Sequence, residues 1–377
     1  LLRSETVQDA RNLISAGRRN KIINGAMMVS QRATSAADVG AGYRTVDRMR
    51  ISKNSLSTAE ITHEQSTDSP NGFAKSVKTT VTTAEGSVGT SDAIRPVQYK
   101  FEGQDVQDLA YGTSDAKTLT LSFYVKSSLT GTYSVAFRNI TAGTYRLRST
   151  TYTIDSANTW EKKVISITGD TSTAIINDNA ARFEIYWCGG SGTDFTSSNV
   201  AALGWADYAS GGLHYGQTAQ LQNTLNATFL MTGIQLEIGE NATEFEHRSI
   251  GEEIELCRRY YSIFHPTGQE QVYIENSGNK THSFINFPVP YGMRTEPSVT
   301  LGGTWTGHGL HGGRTIDAVA VQTIDNGGLN GTTHVGAMGR CSCRVTRDST
   351  GTYTSGQIAH TDGWDDGVAW LIYDAEM

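Results

Sequence analysis

Recognising a sugar requires flat apolar rings to lie against pyranose C–H groups and planar polar side chains to bond the hydroxyls; aromatic residues supply the first. In this chain of 377 residues they crowd one Gly-rich interval, where Tyr186, Trp187, Trp205, Tyr208 and Tyr215 follow one another closely. Strand alternation groups Trp187 with Phe183 and Ile185 on a core face and leaves Tyr186 on the opposite one. Trp205, with Asp207 and Tyr208, sits between loops and reads either as a binding platform or as a packed lid. A second group, Trp305, His308 and His311, lies in a run containing a formal G-x-G-x-x-G at Gly307, Gly309 and Gly312. No strand-to-helix transition surrounds it, so it reads as an exposed loop and not as a dinucleotide site. Two His three apart fall short of the usual zinc ligand set. A third group, Asp362, Trp364, Asp365 and Asp366, could bond sugar hydroxyls, hold a calcium ion or form a solvated turn.

The signatures of hydrolysis are missing. The nearest run to G-x-S-x-G, beginning at Gly189, ends in Thr193, no H-E-x-x-H occurs, and the short period of a parallel β-helix is absent. The chain reads as a binding protein and not as an enzyme. Its formal charge of −7, with 31 basic and 38 acidic residues, opposes binding to a nucleic-acid backbone. No apolar run approaches the ~20 residues that span a bilayer. Cys188, Cys257, Cys341 and Cys343 are too scattered for a disulfide framework or a C-x-x-C metal site and read as free thiols. The chain opens at Leu1 with no secretory pattern, as a processed chain or part of a longer one would.

The elements that must position these groups are strands. Gly, Ser and Thr make up 120 of the residues against 6 Pro, a turn-rich composition suited to sheets. Residues 1–20 read as a short helical connector, with Val7, Ala10, Leu13 and Ile14 on one face. From Ile22 the period becomes two. Leu119, Leu121, Phe123 and Val125 share a face; so do Tyr133, Val135 and Phe137; so do Leu230, Ile234, Leu236 and Ile238 around Gly233. About ten strands at even spacing predict one sandwich or jelly roll over residues 21–250. A linking helix is expected over 251–265, with Glu252, Glu253 and Glu255 early and Arg258 and Arg259 late, as the helix dipole favours. Beyond Pro266 the β pattern resumes to residue 377, predicting a smaller sandwich with long Gly-rich loops. The fold class expected is therefore all-β.

Several motifs in order resemble a family of bacteriophage tail-fibre and virion-surface proteins. They are the run from Lys21 to Arg32, Thr45-Val46-Asp47-Arg48-Met49, the run from Gly103 to Leu109, the strand from Leu119 to Ser128, and the run from Thr232 through Arg248 to Tyr261. Met49 stands where the family has Trp, and Glu244 where it has Pro. The resemblance implies a carbohydrate-binding-module-like jelly roll carried on a virion tail, usually trimeric, assembled in the host cytoplasm beside other tail proteins and attaching to host surface polysaccharide. A capsid decoration or tail adaptor with a purely structural role is the alternative. The resemblance also makes Asp47 and Glu237 candidate ligands for a structural calcium ion, or partners in hydrogen bonds that close the sandwich. Tyr186, Trp205, Tyr208, Trp305, His308, His311, Asp362, Trp364 and Asp365 are the candidate glycan contacts.

Overall fold

The computed structural model describes residues 18–264 except 142 and 144, and beyond them 270–277, 280–288, 292–295, 297–303, 306–308, 313–315, 318–322, 340–346, 358–361 and 369–377. The connector expected at 1–20 therefore lies outside the described residues up to position 17. The chain divides into two compact units, Leu1–Cys257 with Met377, and Arg258–Glu376.

In chain order the first unit contains β1 (Ser35–Ala36), β2 (Gly42–Tyr43), β3 (Arg50–Asn54), β4 (Glu60–Ser66), β5 (Ser76–Thr83), β6 (Ala93–Glu102), β7 (Leu119–Ser127), β8 (Gly131–Ile140), β9 (Tyr145–Ile154), β10 (Glu161–Ile167), β11 (Ala181–Trp187), β12 (Gly190–Ser191), β13 (Ala206–Asp207) and β14 (Thr228–Ile238). One antiparallel sheet has the order β1-β4-β5-β14-β7-β10; the other has β13-β9-β8-β11-β6-β3-β2, with β12 also on β6. Within these, the four-strand blocks β5-β14-β7-β10 and β9-β8-β11-β6 have the strand order of a jelly roll, the chain crossing repeatedly between sheets. The all-β jelly-roll sandwich expected from alternation is the fold observed. The extra strands over the expected ten include four two-residue pairings, too short to show a period.

Alternate residues from both sheets fill the space between them. Leu121, Phe123 and Val125 meet Val135, Phe137, Phe183, Ile185 and Trp187, all fully buried. The Trp187 ring stands edge-on to Phe123, with centroids 5.9 Å apart. One alternation breaks. On β14, Phe229 and Met231 face the core, then Ile234 and Leu236 do. The parity changes because Gly233, at φ +63°, carries a bulge where the pairing to β7 slips between Thr232 and Gln235. Leu230 consequently lies opposite Ile234 rather than beside it as expected.

The motif residues close the ends of the unit. Asn20 Nδ2 donates to the Ile234 carbonyl at 3.0 Å, and its Oδ1 accepts from Leu236 N–H. Asn24 Nδ2 donates to the carbonyls of Val29 and Asp47, and its own N–H donates to Glu253. Gln235 Oε1 accepts from Glu246 N–H, and Arg248 donates to the Ile22 carbonyl. Gly25 is required here: a Cβ would stand 2.2 Å from the Ile234 carbonyl oxygen.

The helix expected over 251–265 is shorter, Ile250–Arg258. After it comes β15 (Tyr261–Phe264), which pairs with the final strand, so its residues belong to the second unit. That unit continues with β16 (Glu270–Ser277), β17 (Lys280–Pro288), β18 (Ser298–Gly303), β19 (Thr306–His308), β20 (Gly313–Thr315), β21 (Ala318–Gln322), β22 (Arg340–Thr346), β23 (Ile358–Thr361) and β24 (Ala369–Asp374). Its sheets have the orders β15-β24-β18 and β20-β19-β23-β16-β17-β22-β21.

His63 on β4 is fully buried, with Nδ1 2.8 Å from Thr45 Oγ1, and burial holds its pKa down at about 4. The unfolded chain therefore binds the proton first as pH falls from 6.5, and stability is lost down to about pH 4. That residue alone should remove about 3 kcal/mol across this window. Urea unfolding of wild type and His63→Gln at stepped pH should show a flatter curve for the variant; parallel curves would contradict the assignment.

Candidate functional site

The outer face of the β13-β9-β8-β11-β6-β3-β2 sheet is where polar and aromatic chemistry gathers. Inward residues on β8, β11 and β6 fix the parity, so Arg138, Glu184, Tyr186, Gln98 and Lys100 project outward. Registration sets them in two rows. Leu147, Arg138, Glu184 and Lys100 lie opposite one another across β9, β8, β11 and β6. In the neighbouring row Ala136, Tyr186, Gln98 and Arg50 do the same across β8, β11, β6 and β3.

The segment between β11 and β14 covers part of this face. Phe195, Ala201 and Leu213, carried by short turns and the four-residue helix Val200–Leu203, pack on Ala136, Leu147 and Tyr186 as a small second core. The uncovered part is bordered by Tyr145 and Tyr208, which are 43% and 36% exposed and stand edge-on with centroids 6.0 Å apart. The Arg138 guanidinium lies over both rings and over Tyr186, at 5.2, 5.9 and 5.3 Å.

Glu184 is the hub. It is buried, receives Arg138 Nη2 at 2.5 Å and the Tyr186 hydroxyl, and has Lys100 Nζ at 3.6 Å. Burial pulls the Arg138 pKa down, but Glu184, joined by Tyr186 and Tyr208, outweighs it and holds the guanidinium above its ordinary value. Burial lowers that of Lys100 against the pull of Glu184, with Arg50 and Arg138 adding to the fall. Burial, then Glu184, pushes the Tyr186 phenol up, keeping it a neutral donor. Beneath Tyr186, buried Arg95 donates from Nε to His214 Nε2 at 2.8 Å and from Nη1 to Asn54 Oδ1 at 2.8 Å. Burial and then Arg95 hold His214 well below its usual pKa. With Nε2 accepting, its proton sits on Nδ1, toward Ser134 Oγ.

Of the residues singled out in the sequence, Tyr208 borders this face and Tyr186 is buried within it. Trp205 is half-buried at the end of the sandwich. Its indole N–H donates to the Thr168 carbonyl at 2.8 Å and its ring stands edge-on to Tyr111, the geometry of the lid. Trp305, His311, Asp362, Trp364 and Asp365 lie outside the described residues, and His308 falls on β19, described in backbone alone. Asp47 accepts from Gln31 N–H and Nε2; Glu237 accepts from Thr243 N–H and Oγ1 and from Gln235. Among the described residues no group of three or more His, Cys, Asp or Glu that could hold a metal ion is found. Cys188 and Cys257 are buried free thiols.

Sequence reasoning missed Tyr145, Arg138, Glu184, Lys100 and Arg50. The signal was present as polar residues at the outward positions of otherwise apolar strands, Gln98-x-Lys100 and Glu184-x-Tyr186. A separate hollow of about 240 Å³ lies beside Phe73, Phe245, His247 and Arg248. Its rings pack against one another and over Gly233, so it belongs to the bulge.

Fold and face together define a jelly-roll β-sandwich with a polar, aromatic-bordered outer sheet. No family model and no curated protein matches the chain. Solved structures similar to it include a putative sugar binding protein from Bacteroides thetaiotaomicron, at 10% identity over 59% of this chain and 100% of that one, TM-score 0.31. The enzymatically active domain of tailspike protein 4 from bacteriophage CBA120 matches at 12% identity over 58% of this chain, TM-score 0.30, and this chain spans only 21% of it. The tandem CBM22 domains of Xyn10C from Paenibacillus barcinonensis match at 10% identity over 95% and 97%, TM-score 0.29.

Replacing Glu184 by Gln should leave Arg138 and Lys100 without their counter-charge and cost about 3 kcal/mol. Chemical denaturation measures this, and an unchanged midpoint and slope would refute the hub role.

Proposed function

We propose that this chain is a tail-fibre component of a bacteriophage virion whose jelly-roll unit holds a host-surface glycan on the open sheet face, without cleaving it. The observation that carries the reading is the exposed pair Tyr145 and Tyr208 flanking the fixed Arg138–Glu184 pair. Such a border offers ring faces to pyranose C–H groups, and the row behind it offers planar donors and acceptors to hydroxyls. Tyr208 and Tyr186 thus keep the binding role read from the sequence, the second as a buried positioning residue, whereas Trp205 serves as packing. The ordered motifs from Lys21 to Tyr261 support the virion setting. Assembly as a homotrimer follows the same resemblance, and three identical weak sites acting together would raise avidity by orders of magnitude.

Purified protein should compete with intact phage for host cells. Tyr145→Ala with Tyr208→Ala should weaken binding to extracted host polysaccharide about tenfold with an unchanged melting temperature. Undiminished binding by the double variant would remove this face from the proposal. Sedimentation equilibrium should return the mass of three chains, and a single-chain mass would refute the trimer.

A further inference from the structure

The open face carries more positive charge than its neighbours neutralise, on a chain whose formal net charge is −7. Arg50, Lys100 and Arg138 are half-buried cations, and buried Arg95 lies on the same face against Tyr186 and Phe195. One carboxylate, Glu184, pairs with Lys100 and Arg138. The side chain of Arg50 has one partner among the described residues, the neutral Gln98 amide oxygen at 2.6 Å. Arg95 is bonded to neutral His214 and Asn54 and lies over the rings of Tyr186 and Phe195, with no carboxylate partner among the described residues. The other charges nearby are spoken for. Glu102, further along β6, is buried and accepts from Gln104, and Arg182 pairs with Asp178 at 2.5 Å. Lys100 feels both arginines, which lower its pKa after burial has done so.

Uncompensated cations held this close raise the free energy of the folded chain, and an arriving anion relieves it. We infer that the open face takes a glycan bearing carboxylates, a uronate or sialate type of polysaccharide, and not a neutral one. The inference rests on the glycan-binding reading above and names its ligand class. Arg50 on β3 and Arg138 on β8 are three strand spacings apart, about 15 Å, so successive acidic sugars in one chain could meet both. A planar carboxylate suits the guanidinium fork, while Tyr145 and Tyr208 take the ring beside Arg138. A nucleic-acid polyanion fits poorly, because its charge would also meet the acidic remainder of the protein.

The test uses the full chain against alginate, polygalacturonate, hyaluronan and polysialic acid, each beside its carboxyl-reduced neutral counterpart, with dextran sulfate as a further arm. Binding to at least one acidic polymer is expected, falling at least tenfold on carboxyl reduction and weakening with added salt. Arg50→Gln, which disturbs no ion pair among the described residues, should lower the affinity about tenfold at an unchanged melting temperature; Arg138→Gln should lower the affinity at least as far and, by breaking the pair with Glu184, the melting temperature too. Equal binding to native and reduced polymers, binding to dextran sulfate alone, or indifference to Arg50→Gln overturns the inference. Binding to neutral polymers only would overturn it while leaving the glycan reading intact, and binding to no polysaccharide would remove both.

Discussion

The insertion of β14 between β5 and β7 is the constraint on which the first unit depends. It is the last strand of the unit in sequence and sits in the middle of its sheet, so both halves of that sheet are held by its hydrogen bonds. β14 also supplies Phe229, Met231, Ile234 and Leu236 to the core, a set that can face one way only because Gly233 resets the alternation. The opening segment depends on the same strand through Asn20 and through Lys21 N–H, which donates to the Leu236 carbonyl. First and last parts of the unit are thereby fixed to one another. Loop closure over some two hundred residues is paid once, by a strand bonded on both sides.

This arrangement leaves the part of the opposite sheet's outer surface that the covering segment does not reach outside both cores. Its inner residues satisfy the core, so the outward positions can hold charges that a core would reject. Glu184 shows how such charges are kept in place: it takes bonds from β8 and from its own strand, with Lys100 on β6 close by. Tyr145 and the cations are therefore pre-positioned by neighbouring strands, which lowers the ordering cost of binding.

Much of the fold was legible in the sequence because burial on one face forces a two-residue period. The runs Leu119 to Val125 and Tyr133 to Phe137 lie on β7 and β8 with the expected faces inward. The period failed at β14, where a bulge is a matter of backbone pairing and leaves only a lone Gly as its mark. The site was read less well. Attention to aromatic residues singled out Tyr208, which borders the face, and left Trp205 as platform or packed lid, whose ring is taken up by Tyr111 and Phe183 at the sandwich end. Arg138 and Glu184 are 46 positions apart and become partners only through the register of β8 with β11, which no local pattern contains. The motif residues Asn24 and Gln235 spend their amides on backbone or neighbouring groups at the closure.

The covering segment between β11 and β14 is bonded both to itself and to the sheet: Ser198 N–H donates to the Gly211 carbonyl and His214 N–H to that of Phe195, while Asp194 N–H donates to the Thr90 carbonyl and Tyr208 N–H to that of Tyr145. Its residues Phe195, Ala201 and Leu213 are seated on Ala136, Leu147 and Tyr186. Insertions at its exposed turn around Leu203, 81% exposed, would widen or narrow the uncovered strip without disturbing the two-sheet core. Descendants of this sequence could therefore shift their ligand by recombining one short stretch, while the strands and their register pass unchanged from one lineage to the next.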